Sequence, residues 1–84
     1  MNVTFTPTAL EDLRYWLKND KRQADRILGL LEEIRRRPFE GTGKPEPLRF
    51  QLAGCWSRRI DREHRLIYQV EEKEIVVLGC RYHY

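Results

Sequence analysis

Three residues in the second half of the chain could together cleave a phosphodiester bond of RNA. Cleavage through the 2′-hydroxyl of the RNA needs a base for the 2′ proton, a cation for the phosphorane and an acid for the departing 5′ oxygen. Glu46 is the candidate base, because prolines on both sides stiffen its backbone and cations flank it. Arg65, which stays charged at physiological pH, is the candidate clamp for the phosphorane. His83 is the candidate acid, because histidine titrates near neutral pH.

Several neighbouring side chains could bind the substrate. Arg49 and Arg59 could grip the scissile phosphate and the phosphates beside it, because guanidinium groups pair with phosphate oxygens. Tyr82 and Tyr84 flank His83 and could stack on a base or orient the acid. The candidate substrate-binding residues are Lys44, Arg49, Arg59 and Glu63.

Simpler interpretations compete with each assignment. A glutamate in a loop is usually solvated, and a histidine near a chain end is usually exposed and idle, so neither Glu46 nor His83 is decisive alone. Glu63 is expected to pair with Arg62 or Arg65 in a turn, which makes it a secondary candidate. Only the combination indicates a nuclease.

Composition favours a basic globular domain. The chain has 84 residues, a net charge of +3 and 40% hydrophobic residues, enough for a thin packed core. Twelve of the sixteen basic residues are arginine, a bias that suits a nucleic-acid ligand, although basic domains also bind membranes and acidic proteins.

Cysteine usage and hydropathy indicate the state of the thiols and the cellular location of the protein. Cys55 and Cys80 fit no zinc spacing and are too few for a disulfide scaffold, so we expect reduced, partly buried thiols. No ligand spacing supports His64 as a metal ligand either, and the proposed chemistry requires no metal or other cofactor. Because no apolar run is as long as that of a signal peptide or a bilayer span, we expect a cytoplasmic protein.

The first half of the chain predicts one strand and two helices. Residues 2–5 form the strand, and the first helix begins at Thr6-Pro7 or at the capping box of Thr8 and ends near Asn19. Asp20 can cap the second helix, which Pro38 stops. The short link predicts an antiparallel hairpin. The expected apolar stripes are Ala9, Leu13, Trp16 and Leu17 in the first helix and Ala24, Ile27, Leu28, Leu31 and Ile34 in the second.

The second half predicts four strands. A loop over residues 40–45 precedes period-two segments at 48–52, 55–60, 64–70 and 75–82, with Tyr82 expected in the core. The predicted fold class is therefore α+β: an N-terminal strand, a helical hairpin and a four-stranded, mostly antiparallel sheet packed against the helices. Residues 1–84 are expected to form one domain.

Strand alternation divides the sheet into two faces. Under the helices we expect Leu48, Phe50, Leu52, Leu66, Tyr68, Val70, Val76, Leu78 and Cys80. On the open face we expect Arg49, Gln51, Arg59, Arg65, Arg81 and His83. Such a basic surface could accept a phosphodiester backbone. Arg58 conflicts with this pattern, because alternation places it with Trp56 and Ile60; a local bulge or an edge position would resolve the conflict.

The same residues carry a family resemblance over nearly the whole chain. The segments concerned are residues 38–48 (PFEGTGKPEPL), 56–60 (WSRRI), 63–68 (EHRLIY) and the terminal 80–84 (CRYHY), with Tyr15-Trp16 and Asp20-Lys21-Arg22 in the helices. Together they resemble the YoeB toxins of the RelE/ParE superfamily.

That resemblance implies a ribosome-dependent endoribonuclease that cleaves mRNA in the ribosomal A site. It implies Glu46 as general base, Arg65 as transition-state stabiliser and His83 as general acid, with Tyr84 supporting the site. The expected partners are a YefM-like antitoxin, mRNA and the ribosome. Binding is expected at the A site of the 30S subunit, and contact with the 50S subunit is an open alternative. A toxin homodimer within the antitoxin complex and operator DNA bound only through the antitoxin are also implied.

Two positions depart from the family pattern, and three alternatives stay open. Arg49 stands where lysine is usual, which keeps a phosphate contact but changes its geometry, and Gln51 replaces an expected asparagine. The alternatives are a gyrase-poisoning toxin of the same fold, a non-catalytic RNA- or antitoxin-binding module, and a folded but inactive toxin. The acid/base set argues against the gyrase poison, which has no use for it.

Overall fold

The computed structural model describes residues 1–82, which form two helices packed on a five-stranded mixed sheet. In chain order the elements are β1 (Asn2–Phe5), α1 (Pro7–Asn19), α2 (Lys21–Arg36), β2 (Glu46–Pro47), β3 (Cys55–Arg59), β4 (Arg65–Val70) and β5 (Glu74–Gly79). The predicted α+β class is confirmed. His83 and Tyr84, the predicted acid and its supporting residue, lie outside the described residues.

Side-chain caps set the helix boundaries. The hydroxyl of Thr6 accepts a hydrogen bond from the amide of Ala9, and Pro7 is the first helical residue, so α1 begins at the earlier of its two predicted starts. Asp20 ends α1 by donating its amide to the carbonyl of Trp16, and its carboxylate accepts the amide of Gln23 at the start of α2. No helix within residues 1–82 is long and apolar enough to cross a membrane.

The core lies between the helices and one face of the sheet. It comprises Ala9, Trp16, Ala24, Ile27, Leu30, Leu31, Ile34, Ile60, Leu66, Tyr68, Ile75, Val77 and Cys80. Leu17 and Leu28, which were predicted in the helix stripes, are instead 49% and 44% exposed. The buried residues of α2 form an arc centred on Ile27 when the helix is viewed along its axis. Successive residues are rotated by 100°, so Leu28 lies at the edge of that arc, and Leu30 is buried instead.

Strand order in the sheet is β1-β5-β4-β3-β2. β1 pairs with β5 in parallel, and the other neighbouring pairs are antiparallel. In the β3–β4 pair Ser57 lies opposite Ile67, and Arg59 lies opposite Arg65. Ser57, Arg59 and Arg65 therefore lie on the same face of the sheet, the open face opposite the helices.

The predicted strand over residues 48–52 is wrong. The amide of Leu48 bonds to the carbonyl of Cys55, so the chain must reverse direction within the six residues between them. It does so through a 3₁₀ turn at Phe50–Leu52, in which Phe50 has a φ of +58° and is 87% exposed. The alternation of apolar residues here does not mark a strand, because it spans a turn with one outward-facing aromatic residue. Leu48, Phe50 and Leu52 therefore do not form an inward strand face.

An irregular register in β5 corrects two more predictions. Tyr68 pairs with Val77 but Ile67 pairs with Gly79, so Leu78 is an extra residue opposite this step. Ile75 and Val77 therefore face the core, whereas Val76 and Leu78 do not, contrary to the predicted alternation. After the irregularity Cys80 is buried as predicted. The strand ends at Gly79, and Tyr82 is 54% exposed, outside the core.

Candidate active site

A carboxylate and a guanidinium meet on the open face of the sheet. Nη1 of Arg65 donates to Oε1 of Glu46 at 2.7 Å and to Oγ of Ser57 at 3.0 Å. Glu46 lies opposite Ser57 in the β2–β3 pair, so adjacent strands hold the three side chains together. The side chain of Glu46 is 54% exposed and that of Arg65 is 24% exposed. The sequence-predicted base and clamp are therefore in contact and accessible to a ligand.

Arg58 anchors the loop that leads to Glu46. Its side chain is fully buried on the helix side of the sheet, with no bulge or edge position to explain it. It donates to the carboxylate of Glu33, to the hydroxyl of Tyr68 and to the carbonyls of Arg37, Glu40 and Thr42, at 2.5 to 3.3 Å. The conflict in strand parity was thus the sign of a buried cation that ties α2, the loop and β4 together.

The loop closes over the carboxylate of Glu33. Bonding from the backbone amide of Thr42 lowers the pKa of Glu33; burial opposes that shift, and the Thr42 hydroxyl and Arg58 add to it. Glu33 is therefore ionised at neutral pH and balances the buried guanidinium. Gly41 has a φ of +122°, and a Cβ there would collide with the carboxylate, so glycine is required.

A cationic cleft of about 320 Å³ borders Arg65 and is lined by Arg59, Asp61, Arg62 and Arg65. Arg59 and Arg65 are directly opposite across two strands, an arrangement that is unfavourable for like charges. The carboxylate of Asp61 already accepts the amides of residues 63 and 64 and the side chain of Gln23. The lining thus holds three cations and one carboxylate that already accepts three hydrogen bonds, and Arg65 also pairs with Glu46. With Arg59 and Arg62 in excess, the cleft suits an anion. Arg62 was not among the predicted site residues; its only signal in the sequence is its place in the β3–β4 turn, three residues after Arg59.

The end of the described chain is tied to the same strand. The amide of Tyr82 donates to Nδ1 of His64 at 2.6 Å, and its carbonyl accepts the amide of Arg65 at 2.8 Å. Arg81 does not lie on the open face as predicted, because its guanidinium stacks 3.5 Å from the ring centre of Tyr15 on α1. Gly79 ends the strand two residues earlier, so strand alternation no longer governs position 81.

The other predicted site residues lie apart from the ion pair. Lys44 is exposed in the loop, two residues before Glu46, with a φ of +51°. Arg49 lies in the turn after β2 and lines a separate shallow cavity with residues 48–52. Glu63 is exposed. Within residues 1–82 its Oε1 lies 3.8 Å from Nε2 of His64, and it forms no ion pair with an arginine.

Metal-binding and thiol chemistry find little support in the part of the chain that the structure describes. Within residues 1–82 no three His, Cys, Asp or Glu side chains cluster in a way that could hold a metal ion. Cys55 and Cys80 are both free and buried, as predicted. Burial raises the pKa of Cys55 and, together with Asp12, raises that of Cys80 to about 12, so both remain neutral thiols.

The sequence matches a known protein family over most of its length. Residues 5–84 match the sequence model of a family described as YoeB-like toxin of bacterial type II toxin-antitoxin system. The chain is 53% identical to Toxin YoeB of Mycobacterium bovis over 99% of its own length and 98% of that protein.

Solved structures give the same result. The YoeB dimer of Staphylococcus aureus superposes with a TM-score of 0.93 at 47% identity, covering 100% of this chain and 98% of that one. The heterotetrameric YoeB-YefM complex from the same organism gives a TM-score of 0.92 at 47% identity, with the same coverage. The chain therefore belongs to the YoeB family of toxins of bacterial type II toxin–antitoxin systems.

Proposed function

We propose that this chain is a ribosome-dependent endoribonuclease that cleaves mRNA in the ribosomal A site and thereby inhibits translation. The observation that carries the proposal is the contact between Glu46 and Arg65 beside the arginine-lined cleft. In RNA the attacking 2′-hydroxyl and the scissile phosphate are neighbours, so the base and the phosphate-binding cation must also be neighbours. Membership of a toxin family supports translation as the target.

In the proposed reaction the 2′-oxygen attacks phosphorus while Glu46 takes the 2′ proton. The new bond between the 2′-oxygen and phosphorus forms as the bond from phosphorus to the 5′-oxygen breaks, which leaves a 2′,3′-cyclic phosphate. Arg65 stabilises the charge of the phosphorane, and Ser57 keeps the guanidinium in place when Glu46 turns to the substrate. His83 donates the proton that the 5′-oxygen needs, and Tyr84 supports the acid.

Substrate binding in this proposal relies on arginine. Arg59 and Arg62 extend the cationic surface beyond Arg65 and would hold the phosphates next to the scissile one. Lys44 and Arg49 would contact the backbone further along the RNA, and Glu63 is the remaining substrate-binding candidate. Because these contacts are mainly electrostatic, binding should weaken as salt rises.

The proposed partners follow from relatives. The S. aureus structures hold a YoeB dimer and a YoeB-YefM heterotetramer. We therefore propose a YefM-like antitoxin for this chain, a toxin homodimer at least in that complex, and repression of the operon through DNA contacts that the antitoxin supplies. We place the reaction in the cytoplasm, where translating ribosomes are available.

Mapping of 5′ ends on a defined mRNA tests the proposal. The purified protein is incubated with the mRNA with and without ribosomes, as wild type and as His83→Ala. Lys73→Gln, in the exposed β4–β5 turn at the opposite end of β4 from Arg65, is the control. We expect cuts at the A-site codon only with ribosomes, retained in the control and reduced about 10²- to 10⁴-fold in His83→Ala.

Each other outcome has a distinct meaning. Cutting without ribosomes would keep the nuclease and discard the ribosomal mechanism. The absence of cuts in both mixtures would overturn the proposal in favour of a non-catalytic binding module, an inactive toxin or a gyrase poison. Undiminished cutting by His83→Ala would remove the acid assignment alone.

A further inference from the structure

One buried histidine connects α1, the β3–β4 turn and the last described residue. His64 is 8% exposed, and its ring lies edge-to-face against Trp16, with ring centres 4.7 Å apart. Its backbone carbonyl accepts the amide of Ile60, which closes the turn. Its ring also lies 5.2 Å from that of Tyr82. Packing alone could be achieved by an apolar ring of the same size, so the polar contacts of the imidazole need a separate explanation.

The imidazole accepts a backbone hydrogen bond. The amide of Tyr82 donates to Nδ1 of His64 at 2.6 Å. A neutral imidazole has one acceptor nitrogen and one donor nitrogen, so the ring proton must reside on Nε2. A phenylalanine or leucine at this position would fill the space but would leave the Tyr82 amide without this acceptor.

Tyr82 needs such a hold, because its backbone is in an unfavourable conformation. Its φ is +61°, in the left-handed region that a residue with a Cβ rarely adopts because the backbone is strained there. Two bonds fix it there: the one to His64 and the one from the amide of Arg65 to its own carbonyl. Arg65, which provides the proposed phosphate clamp, and His64 before it in sequence thus bind the carbonyl and the amide of the same residue, Tyr82.

We infer that His64 is a positioning residue for the reaction: it fixes Tyr82 and thereby the point at which His83 and Tyr84 join the site. The inference rests on the proposed function, since it assumes that His83 is the acid. His64 does not touch the substrate. It acts through the Tyr82 amide, and the chain continues directly from that residue into the acid.

Asparagine and glutamine at position 64 form a matched pair that separates this role from packing. The amide oxygen of asparagine is attached to Cγ, as Nδ1 is, so His64→Asn can keep the acceptor near its place. The oxygen of His64→Gln is one atom further out, with similar polarity and volume. Both variants lose the contact with Trp16 to a similar extent, so only the position of the acceptor differs.

Single-turnover cleavage on programmed ribosomes gives the first readout. We expect His64→Gln to lower the maximal rate about 10- to 100-fold, because a small misplacement of a catalytic group has effects of that size. The toxin concentration for half-maximal rate should stay unchanged, since the arginine cleft is intact. His64→Asn should restore most of the rate. Equal maximal rates in the two variants would overturn the inference.

Hydrogen exchange and NMR test the same contact without any cleavage assay. The Tyr82 amide should exchange at least about tenfold faster in His64→Gln than in His64→Asn, while the amides of Ile67 and Val77 serve as internal controls. In the wild-type protein, nitrogen–nitrogen coupling across the hydrogen bond should link the Tyr82 amide to Nδ1 of His64. The absence of that coupling would overturn the inference even if His64→Gln did not fold. A wild-type protein that cuts no RNA would instead refute the proposed function, and the NMR result would still decide whether His64 holds Tyr82.

Discussion

Arg58→Met removes the buried guanidinium that ties residues 37–42 to α2 and the sheet, and we expect it to lower the free energy of unfolding by about 3 kcal/mol. Breaking a fully buried pair typically costs about 3–5 kcal/mol. The lower end applies here, because Glu33 keeps its bonds from Thr42 and its side chain is 24% exposed, so water can compensate the carboxylate. The freed loop carbonyls can also hydrate when the loop loosens.

Such a loss is large for this chain. At about 0.05–0.15 kcal/mol per residue, 84 residues give a total stability of about 4–13 kcal/mol. A decrease of about 3 kcal/mol corresponds to a decrease in Tm of about 12–24 °C for a domain of this size. Chemical and thermal unfolding measure both quantities. Arg59→Met is the matched control: it removes the neighbouring, exposed guanidinium and should change stability by less than about 0.5 kcal/mol.

A cost below about 1 kcal/mol for Arg58→Met would show that the buried hydrogen bonds of Arg58 contribute no more than an exposed ion pair, contrary to this prediction. A large cost shared equally by Arg59→Met would refute it as well, since burial would then not be the cause. We further expect faster hydrogen exchange in residues 38–44 of Arg58→Met, as the loop before Glu46 loses its anchor.

Three further predictions concern stability and reactivity. Gly29→Ala should raise the free energy of unfolding by about 1 kcal/mol in urea titrations, because a Cβ there meets no atom and alanine favours a helix interior; a loss of stability would contradict this. Because the pKa of Glu33 is lower in the folded state, its ionised carboxylate stabilises the fold at pH values above the usual glutamate pKa of about 4.3, and this contribution is lost as the pH falls through the folded pKa. Glu33→Gln should therefore lose less free energy of unfolding than wild type between about pH 5 and pH 3. Parallel plots of the free energy of unfolding against pH for the two proteins would disprove this. Cys55 and Cys80 should react with a thiol reagent at pH 8 only after denaturant is added, since burial raises both pKa values; rapid modification of the native protein would count against buried neutral thiols.

Local signals in the sequence were sufficient for the helices. Thr6-Pro7 and Asp20 mark helix starts by chemistry that acts within one turn, and the structure places both caps as predicted. The failures came where a non-local contact decides. Phe50 alternates with leucines like a strand residue, but pairing of Leu48 with Cys55 forces a turn there. The irregularity at Leu78 depends on register between two strands, which no single segment encodes.

The candidate site shows the same division. Glu46 and Arg65 could be paired from residue type and family resemblance, and the structure brings them into contact. Arg62 could not be predicted, because its proximity to Arg65 depends on how the β3–β4 turn folds. Nor could the role of Arg58 be predicted, because an inward arginine is stable only when a loop supplies several carbonyls, and that loop lies 16 to 21 residues away in sequence.

The most direct test of the central claim replaces the nucleotide 5′ of the cut by its 2′-deoxy form in an otherwise identical mRNA on the ribosome. Because Glu46 is proposed to take the proton of that 2′-hydroxyl, we expect loss of cutting at this position and a 2′,3′-cyclic phosphate on the product of the unmodified mRNA. Glu46→Gln should cut the unmodified mRNA about 10²- to 10⁴-fold more slowly, and its residual cutting should also be lost on the deoxy substrate. Cutting of the deoxy mRNA at the same site and rate would contradict attack by the 2′-oxygen, and with it the role of the Glu46–Arg65 pair.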